Sequence, residues 1–248
     1  VYALASARRI PIHRDGSVSL GAIATMVDVV GMRATGYDGP MVTSHLAIQM
    51  TAPPAGDTLR SSGRSARSGK SGGTSIVYVT DGSGAIVGVA TLTGAALTPG
   101  GGTHTKRPDR LDDFFVRWPR PTGGPGPEDY IGLGVDQGLA RQPDGARRYR
   151  VPFHETLRNV NGVLHGGGAC LLAEQAARGA AVDAGEAGTL FDSLAVDFLA
   201  PGLTGPFLVR VETMPSASDR RTFVVEVFDA GRDERRITLA VLTGHAPR

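Results

Sequence analysis

The chain has 248 residues, 41% of them hydrophobic and 20% charged, with a formal net charge of +2. That composition is ordinary for a globular protein, has enough apolar material for a core, and is too balanced in charge to point to nucleic acid as a partner. No run of about eighteen apolar residues occurs, which excludes an ordinary transmembrane helix. A single cysteine, Cys170, excludes an intramolecular disulfide framework and a multi-cysteine zinc site; it reads as a small buried hydrophobe on a helix.

Residues 1–14 hold an apolar stretch interrupted by Arg8 and Arg9 and lack the order of a secretory leader, so the cytoplasm is the expected compartment. Residues 19–35 have helical spacing at Ala22, Met26, Val29 and Val30. Residues 42–53 read as a strand closing on Pro53, and residues 64–73 as a basic Gly/Ser-rich loop. Residues 75–80 and 85–97 read as further strands, with the run Ile76-Val77-Tyr78-Val79. Residues 100–127 are a Gly/Pro-rich linker that resists regular structure. Inside it, residues 111–118 carry Phe114, Phe115 and Trp118, an island expected to dock on a neighbouring half. A second helix follows over residues 168–182, then strands over 190–201, 221–228 and 236–245.

The second series repeats the first. Asp28 and Glu174 stand 146 residues apart, Pro53 and Pro201 148, Asp81 and Asp229 148, and the pairs Thr93-Gly94 and Thr243-Gly244 150. A near-constant offset kept over four landmarks means an internal duplication. The expected fold is therefore α+β, with one half over residues 1–99 and another over 128–248. Each half has a long helix and an antiparallel set of strands. Two such halves cover each other's exposed edges better as a pseudo-dimer than as separate beads.

Chemistry concentrates in Asn159-Val160-Asn161-Gly162-Val163-Leu164-His165-Gly166-Gly167-Gly168, where a Gly-rich turn enters a helix. The first N–H groups of a helix lack internal partners, and the dipole there is positive. A carbonyl oxygen held at that point would be polarised and a developing oxyanion stabilised. The plain alternative is a tight turn with no ligand. Asp28, in Met26-Val27-Asp28-Val29-Val30, is costly to bury without partners. Desolvation would strengthen it as a base or nucleophile; as a structural group it would cap or salt-bridge. Glu174 is open to the same two readings. His165 is an orienting donor or a turn residue, and Asn159 polarises a carbonyl or caps its own turn.

Asn159, Gly162, His165, Gly166 and Gly167, with Glu174 nine residues after the histidine, resemble the motif of the hotdog-fold acyl-CoA thioesterases of the phenylacetate-pathway type. The stretches 196–201 and 46–53 also look like that family, so the resemblance spans both halves. It implies a double hotdog with sites built between two units. One unit gives the helix N-terminus with an Asn and a His, and the other a carboxylate from its helix, with a Ser or Thr assisting.

On that pattern one site has every role filled, by Asp28 and Thr43 from the first half and Asn159, His165 and Gly166 from the second. The other would pair Glu174 with residues 17–21. There the Asn and His are missing, His13 is displaced, and Phe191 stands at the hydroxyl position with Ser193 close by. The implied activity is hydrolysis of an acyl-CoA to acid and coenzyme A, with no metal or further cofactor and a small-molecule acyl-CoA substrate. Dimers of the double hotdog are expected, with no nucleic-acid or membrane partner.

Arg67 and Lys70, in the basic segment, are candidates for the phosphates of coenzyme A. The segment does not follow the nucleotide phosphate-loop spacing, and a hairpin with solvated charges is the alternative. Arg147, Arg148, Arg150, Arg220 and Arg221 read as solvated faces. Two other functions stay in view: an acyl-CoA-binding protein without turnover, and an enoyl-thioester hydratase, for which His13 and Asp15 make a poor Asp/His pattern.

Overall fold

The computed structural model describes residues 2–7, 18–37, 39–56, 58–97, 114–115, 140–141, 147–153, 157–159, 162–215 and 218–246; of 2–7, 114–115, 140–141 and 147–148 it describes the backbone. The chain divides into two compact units, one of residues 1–10 and 24–118, the other of residues 11–23 and 119–248.

In the first unit, the part of α1 (Leu20–Ala34) from Ala24 onward is followed by β2 (Met41–Met50), β3 (Leu59–Gly69), β4 (Gly72–Asp81) and β5 (Ile86–Ala96). With β1 (Tyr2–Ala7) these strands run in the order β1-β3-β4-β5-β2, every pair antiparallel. A short β6 (Phe114–Phe115) adds to β1 in parallel. The aromatic island thus contributes an outermost strand; its other residues lie outside those described.

The second unit repeats the plan. β7 (Ala140–Arg141) and β8 (Arg147–Val151) precede α2 (Gly166–Asp183), and β9 (Leu190–Phe198), β10 (Phe207–Met214), β11 (Arg220–Asp229) and β12 (Arg235–His245) follow. The order β8-β10-β11-β12-β9 matches its counterpart strand for strand. Even the irregularities repeat: a bulge between Thr43 and His45 in β2 corresponds to one between Thr243 and Gly244, opposite β9.

Alternation sorts the residues of each strand. In β4, Gly73, Ser75, Val77 and Val79 are buried while Thr74, Ile76, Tyr78 and Thr80 face outward. β3 corrects the sequence reading, because residues 64–69 are strand and not loop. Its inward residues are Leu59, Ser61 and Gly63. Gly63 is small because α1 presses on it: a Cβ there would stand 2.8 Å from the Ala34 Cβ and 3.1 Å from a Val30 methyl. Only the turn Lys70-Ser71 is loop.

The apolar stripe of α1 (Met26, Val27, Val30, Ala34) and that of α2 (Leu172, Ala173, Ala176, Ala177, Ala180) are buried, and α2 lies on β10, β11 and β12. Among the described residues no helix is long and apolar enough to cross a membrane.

The duplicated aspartates staple equivalent loops. Asp81 ends β4 and accepts from the Ser83 hydroxyl at 2.6 Å and from the N–H groups of Ala55, Ser83 and Ala85 at 2.9, 2.9 and 3.2 Å. Asp229 ends β11 and accepts from the N–H groups of Leu203, Thr204, Gly205 and Gly231 at 2.8, 3.0, 2.7 and 3.2 Å. Both carboxyls lie below the usual carboxylate range. For Asp81 the Ser83 hydroxyl leads, followed by the Ala55 N–H, with burial opposing. For Asp229 burial pushes upward, and the four backbone donors outweigh it.

Arg220 and Arg221 also depart from the sequence reading. Arg220 pairs with Asp192 at 3.3 Å and Arg221 with Glu186 at 2.5 Å, so neither is merely solvated.

Candidate functional site

The two helices begin alike. Ser19 caps α1, its Oγ accepting from the Ala22 N–H at 3.2 Å. His165 caps α2, its Nδ1 accepting from the Gly167 N–H at 3.0 Å. Each helix carries its acid nine residues after the cap, Asp28 on α1 and Glu174 on α2. The surroundings of the two acids differ.

Asp28 is 5% exposed. The Thr43 hydroxyl donates to its Oδ1 at 2.6 Å. A bond this short holds one oxygen of the carboxyl in a fixed place. Thr43 reaches Asp28 from β2, where it pairs with Gly94 beside the bulge. The register of the second unit puts Phe191 opposite Gly244, in the place that Thr43 holds in the first, so Glu174 has no such hydroxyl from β9 at that position.

Glu174 is fully buried and enclosed by donors. Its Oε2 accepts from the Ser19 hydroxyl at 2.7 Å and the Gly21 N–H at 2.9 Å, and its Oε1 from the Leu20 N–H at 2.9 Å. The carboxylate thus sits on the N-terminus of α1, where the dipole favours a negative charge. Gly21 permits this approach: a Cβ there would lie 2.9 Å from the Cys170 carbonyl oxygen and the Leu171 Cα. The sequence reading noted residues 17–21 for what they lack. It passed over Ser19, whose signal was its place as N-cap, matching His165.

The turn before α2 is closed by its own backbone. The Asn159 N–H donates to the Val163 carbonyl at 2.8 Å, the Gly162 N–H to the Asn159 carbonyl at 2.9 Å, and the His165 N–H to the Leu157 carbonyl at 2.8 Å. Gly162 has φ 74°, which suits glycine. Arg158 stacks 3.8 Å over the Phe153 ring and donates to the Gly162 carbonyl at 2.8 Å. The Asn159 Oδ1 accepts from the Val163 N–H at 3.2 Å, so this side chain caps its own turn. Because the His165 Nδ1 accepts, its proton resides on Nε2, which makes that nitrogen a donor.

Gly166 is the first residue of α2, the position that Leu20 holds in α1. The Leu20 N–H is taken by Glu174. Among the described residues the Gly166 N–H has no acceptor.

Arg67 and Lys70 are exposed, at the end of β3 and in the turn after it. Ser17 and His13 lie outside the described residues.

No protein-family model matches the sequence, and no curated protein matches it. Solved structures do match in fold. A protein with hot dog fold from Alicyclobacillus acidocaldarius aligns with TM-score 0.62 at 13% identity, over 97% of this chain and 91% of that one. The 12:0-ACP thioesterase from Umbellularia californica aligns with TM-score 0.61 at 12% identity, over 99% and 98%. Acyl-CoA thioesterase II from Mycobacterium marinum aligns with TM-score 0.57 at 12% identity, over 94% and 90%. The chain has the hot dog fold, an α+β architecture of antiparallel sheet and long helix. At these identities the likeness carries the fold and not the activity.

Proposed function

We propose that the protein is a thioester hydrolase, a fused double hotdog with one working site composed between its halves, and that it cleaves acyl-CoA to the acid and coenzyme A. The observation that carries this reading is the contrast between the two helix starts. At α1 the leading N–H groups are satisfied by Glu174, whereas at α2 the Gly166 N–H has no acceptor among the described residues, beside a histidine donor. An orphan donor at a helix N-terminus is suited to an oxygen that gains charge during reaction. The fold of an acyl-CoA thioesterase II and a 12:0-ACP thioesterase, matched over nearly the whole chain, supports the same class.

In this scheme the thioester oxygen lies on the Gly166 N–H, with the His165 Nε2–H and the Asn159 amide assisting. Asp28, held by Thr43, takes a proton from water as the water attacks the carbonyl carbon. The tetrahedral intermediate expels the thiolate, which receives that proton, so acid and thiol leave and Asp28 is regenerated. The alternative is direct attack by Asp28, giving an anhydride that water then opens; both routes balance with water alone. Arg67 and Lys70 meet the phosphates of coenzyme A. Glu174 anchors the start of α1, and the site it would have served is closed.

The test is thiol release from a panel of short, long and aromatic acyl-CoAs. Asp28→Asn is expected to lose roughly 10²- to 10⁴-fold in kcat. Thr43→Val, which removes one bond to a charged group worth about 1.5–3 kcal/mol, is expected to lose roughly 10- to 100-fold. A wild-type protein that cleaves none of the panel while binding it would make this an acyl-CoA-binding protein, and the proposal would be wrong.

A further inference from the structure

The two units share a plan but not a surface charge. Among the described residues of the first unit there are five arginines and lysines, and the acids are Asp28 and Asp81, both buried. Four of the five cations, Arg60, Arg64, Arg67 and Lys70, are exposed along β3 and its turn. None of the four forms an ion pair with any described residue.

These cations share one face because of a backbone irregularity. Arg60 pairs with Thr80 and Arg64 with Ile76, both outward residues of β4. Three residues further on, alternation alone would turn Arg67 inward toward α1. The register shift between Ser65 and Arg67 leaves Ala66 as the extra residue and sets Arg67 opposite outward-facing Thr74. A bulge that re-aims one side chain is a feature kept for what the side chain meets.

The duplicated strand shows the contrast. The positions in β10 equivalent to Arg60 and Arg64 hold Leu208 and Glu212. The arginine of that strand, Arg210, pairs with Glu226 at 4.0 Å, and Glu226 also takes Arg236 at 2.6 Å. One copy pairs its strand arginine with a carboxylate, and the other leaves its strand arginines without one among the described residues.

The stripe is long and starts level with Thr43. Thr43 pairs with Gly94, Gly94 with Gly73, and Gly73 with Ser68. Three strand spacings put Ser68 about 14 Å from Thr43, and at about 3.4 Å per residue the stripe extends roughly 30 Å from Lys70 back to Arg60. One nucleotide does not bridge that length. A nucleic-acid strand would, but the chain's net charge is only +2, and the adjoining outer row of β4 offers one aromatic, Tyr78, where stacking of bases needs several.

We infer that this stripe docks the acidic face of a partner protein that carries the thioester to the proposed site on an extended arm. The inference rests on the thioester-hydrolase reading and deepens it. Arg67 and Lys70 meet the phosphate of either carrier, and Arg60 and Arg64 meet the protein alone.

The probe is one acyl group presented in two ways, as a coenzyme A thioester and on a small acidic carrier protein through its phosphopantetheine arm. Arg60→Glu with Arg64→Glu should lower kcat/KM for the protein-borne thioester by at least about tenfold, the scale of electrostatic steering. Cleavage of the coenzyme A thioester should stay within about twofold. Arg60→Lys with Arg64→Lys should restore the protein-borne rate, and rising salt should erase the difference between the two variants. Binding of fluorescent acyl-carrier to the Asp28→Asn protein, followed by anisotropy, reads the surface without turnover, so absence of hydrolysis does not decide it. Equal loss with both thioesters, or no change in either binding or rate, overturns the inference. Tighter binding of a (dT)20 oligonucleotide than of the carrier overturns it in favour of nucleic acid.

Discussion

Glu174→Gln separates anchoring from catalysis. The side chain keeps its size in a fully buried place, and only its bonding changes. The bonds from the Ser19 hydroxyl and the Gly21 N–H end on Oε2, and that from the Leu20 N–H on Oε1. Glutamine keeps the first two by placing its carbonyl oxygen at Oε2. Its NH2 then faces the Leu20 N–H, donor against donor. The loss is one charge-assisted bond, about 1.5–3 kcal/mol, and the favourable charge at the α1 N-terminus, about 1 kcal/mol. The total is about 3 kcal/mol. For a chain of this size each kcal/mol moves the midpoint by about 2–4 °C, so Tm should fall by roughly 6–12 °C. Thermal unfolding measures that fall, and thiol release at 25 °C should stay within about twofold of wild type. An unchanged midpoint would refute the anchoring role, and a loss of hydrolysis matching that of Asp28→Asn would place Glu174 in the working site.

Gly21→Ala should act on the same contact: its Cβ meets backbone of Cys170 and Leu171, which cannot rotate away, so a cost of about 1–3 kcal/mol is expected by chemical denaturation. Combined with Glu174→Gln it should cost less than the sum, since both loosen one junction; strict additivity would show that they do not share it. Asp229→Ala leaves four backbone donors without an acceptor and should cost about 4 kcal/mol or more, seen as a lowered denaturation midpoint. Because the folded Asp229 carboxyl is held below its unfolded value, near 3.9, its contribution is present above that value and lost as pH falls through the folded one. Asp229→Asn should therefore flatten the decline of stability between about pH 5 and pH 2, Asp81 supplying the remaining slope; an unaltered decline would contradict the assignment.

Much of the plan was legible in one dimension. Offsets of 146 to 150 residues announced the duplication, and the shared strand order β1-β3-β4-β5-β2 and β8-β10-β11-β12-β9 has the same origin. Helical spacing and period-two alternation need only local residues, so α1, β4 and β11 could be read directly. The equivalence of Asp28 and Glu174 was legible too, from the same offsets.

β3 was not legible, because its inward positions are Ser61 and Gly63, which look polar or structureless until α1 is seen to press on Gly63. Nor could sequence foresee that the bulge at Ala66 turns Arg67 outward, or that Arg220 and Arg221 find Asp192 and Glu186, because each depends on pairing with a distant strand or loop. The two acids show the division most clearly. Sequence made them twins. Tertiary structure gave Asp28 the hydroxyl of Thr43, while it buried Glu174 under the Ser19 hydroxyl and the Leu20 and Gly21 N–H groups. A carboxylate's role is set by the donors that surround it, and those donors arrive from residues far away along the chain.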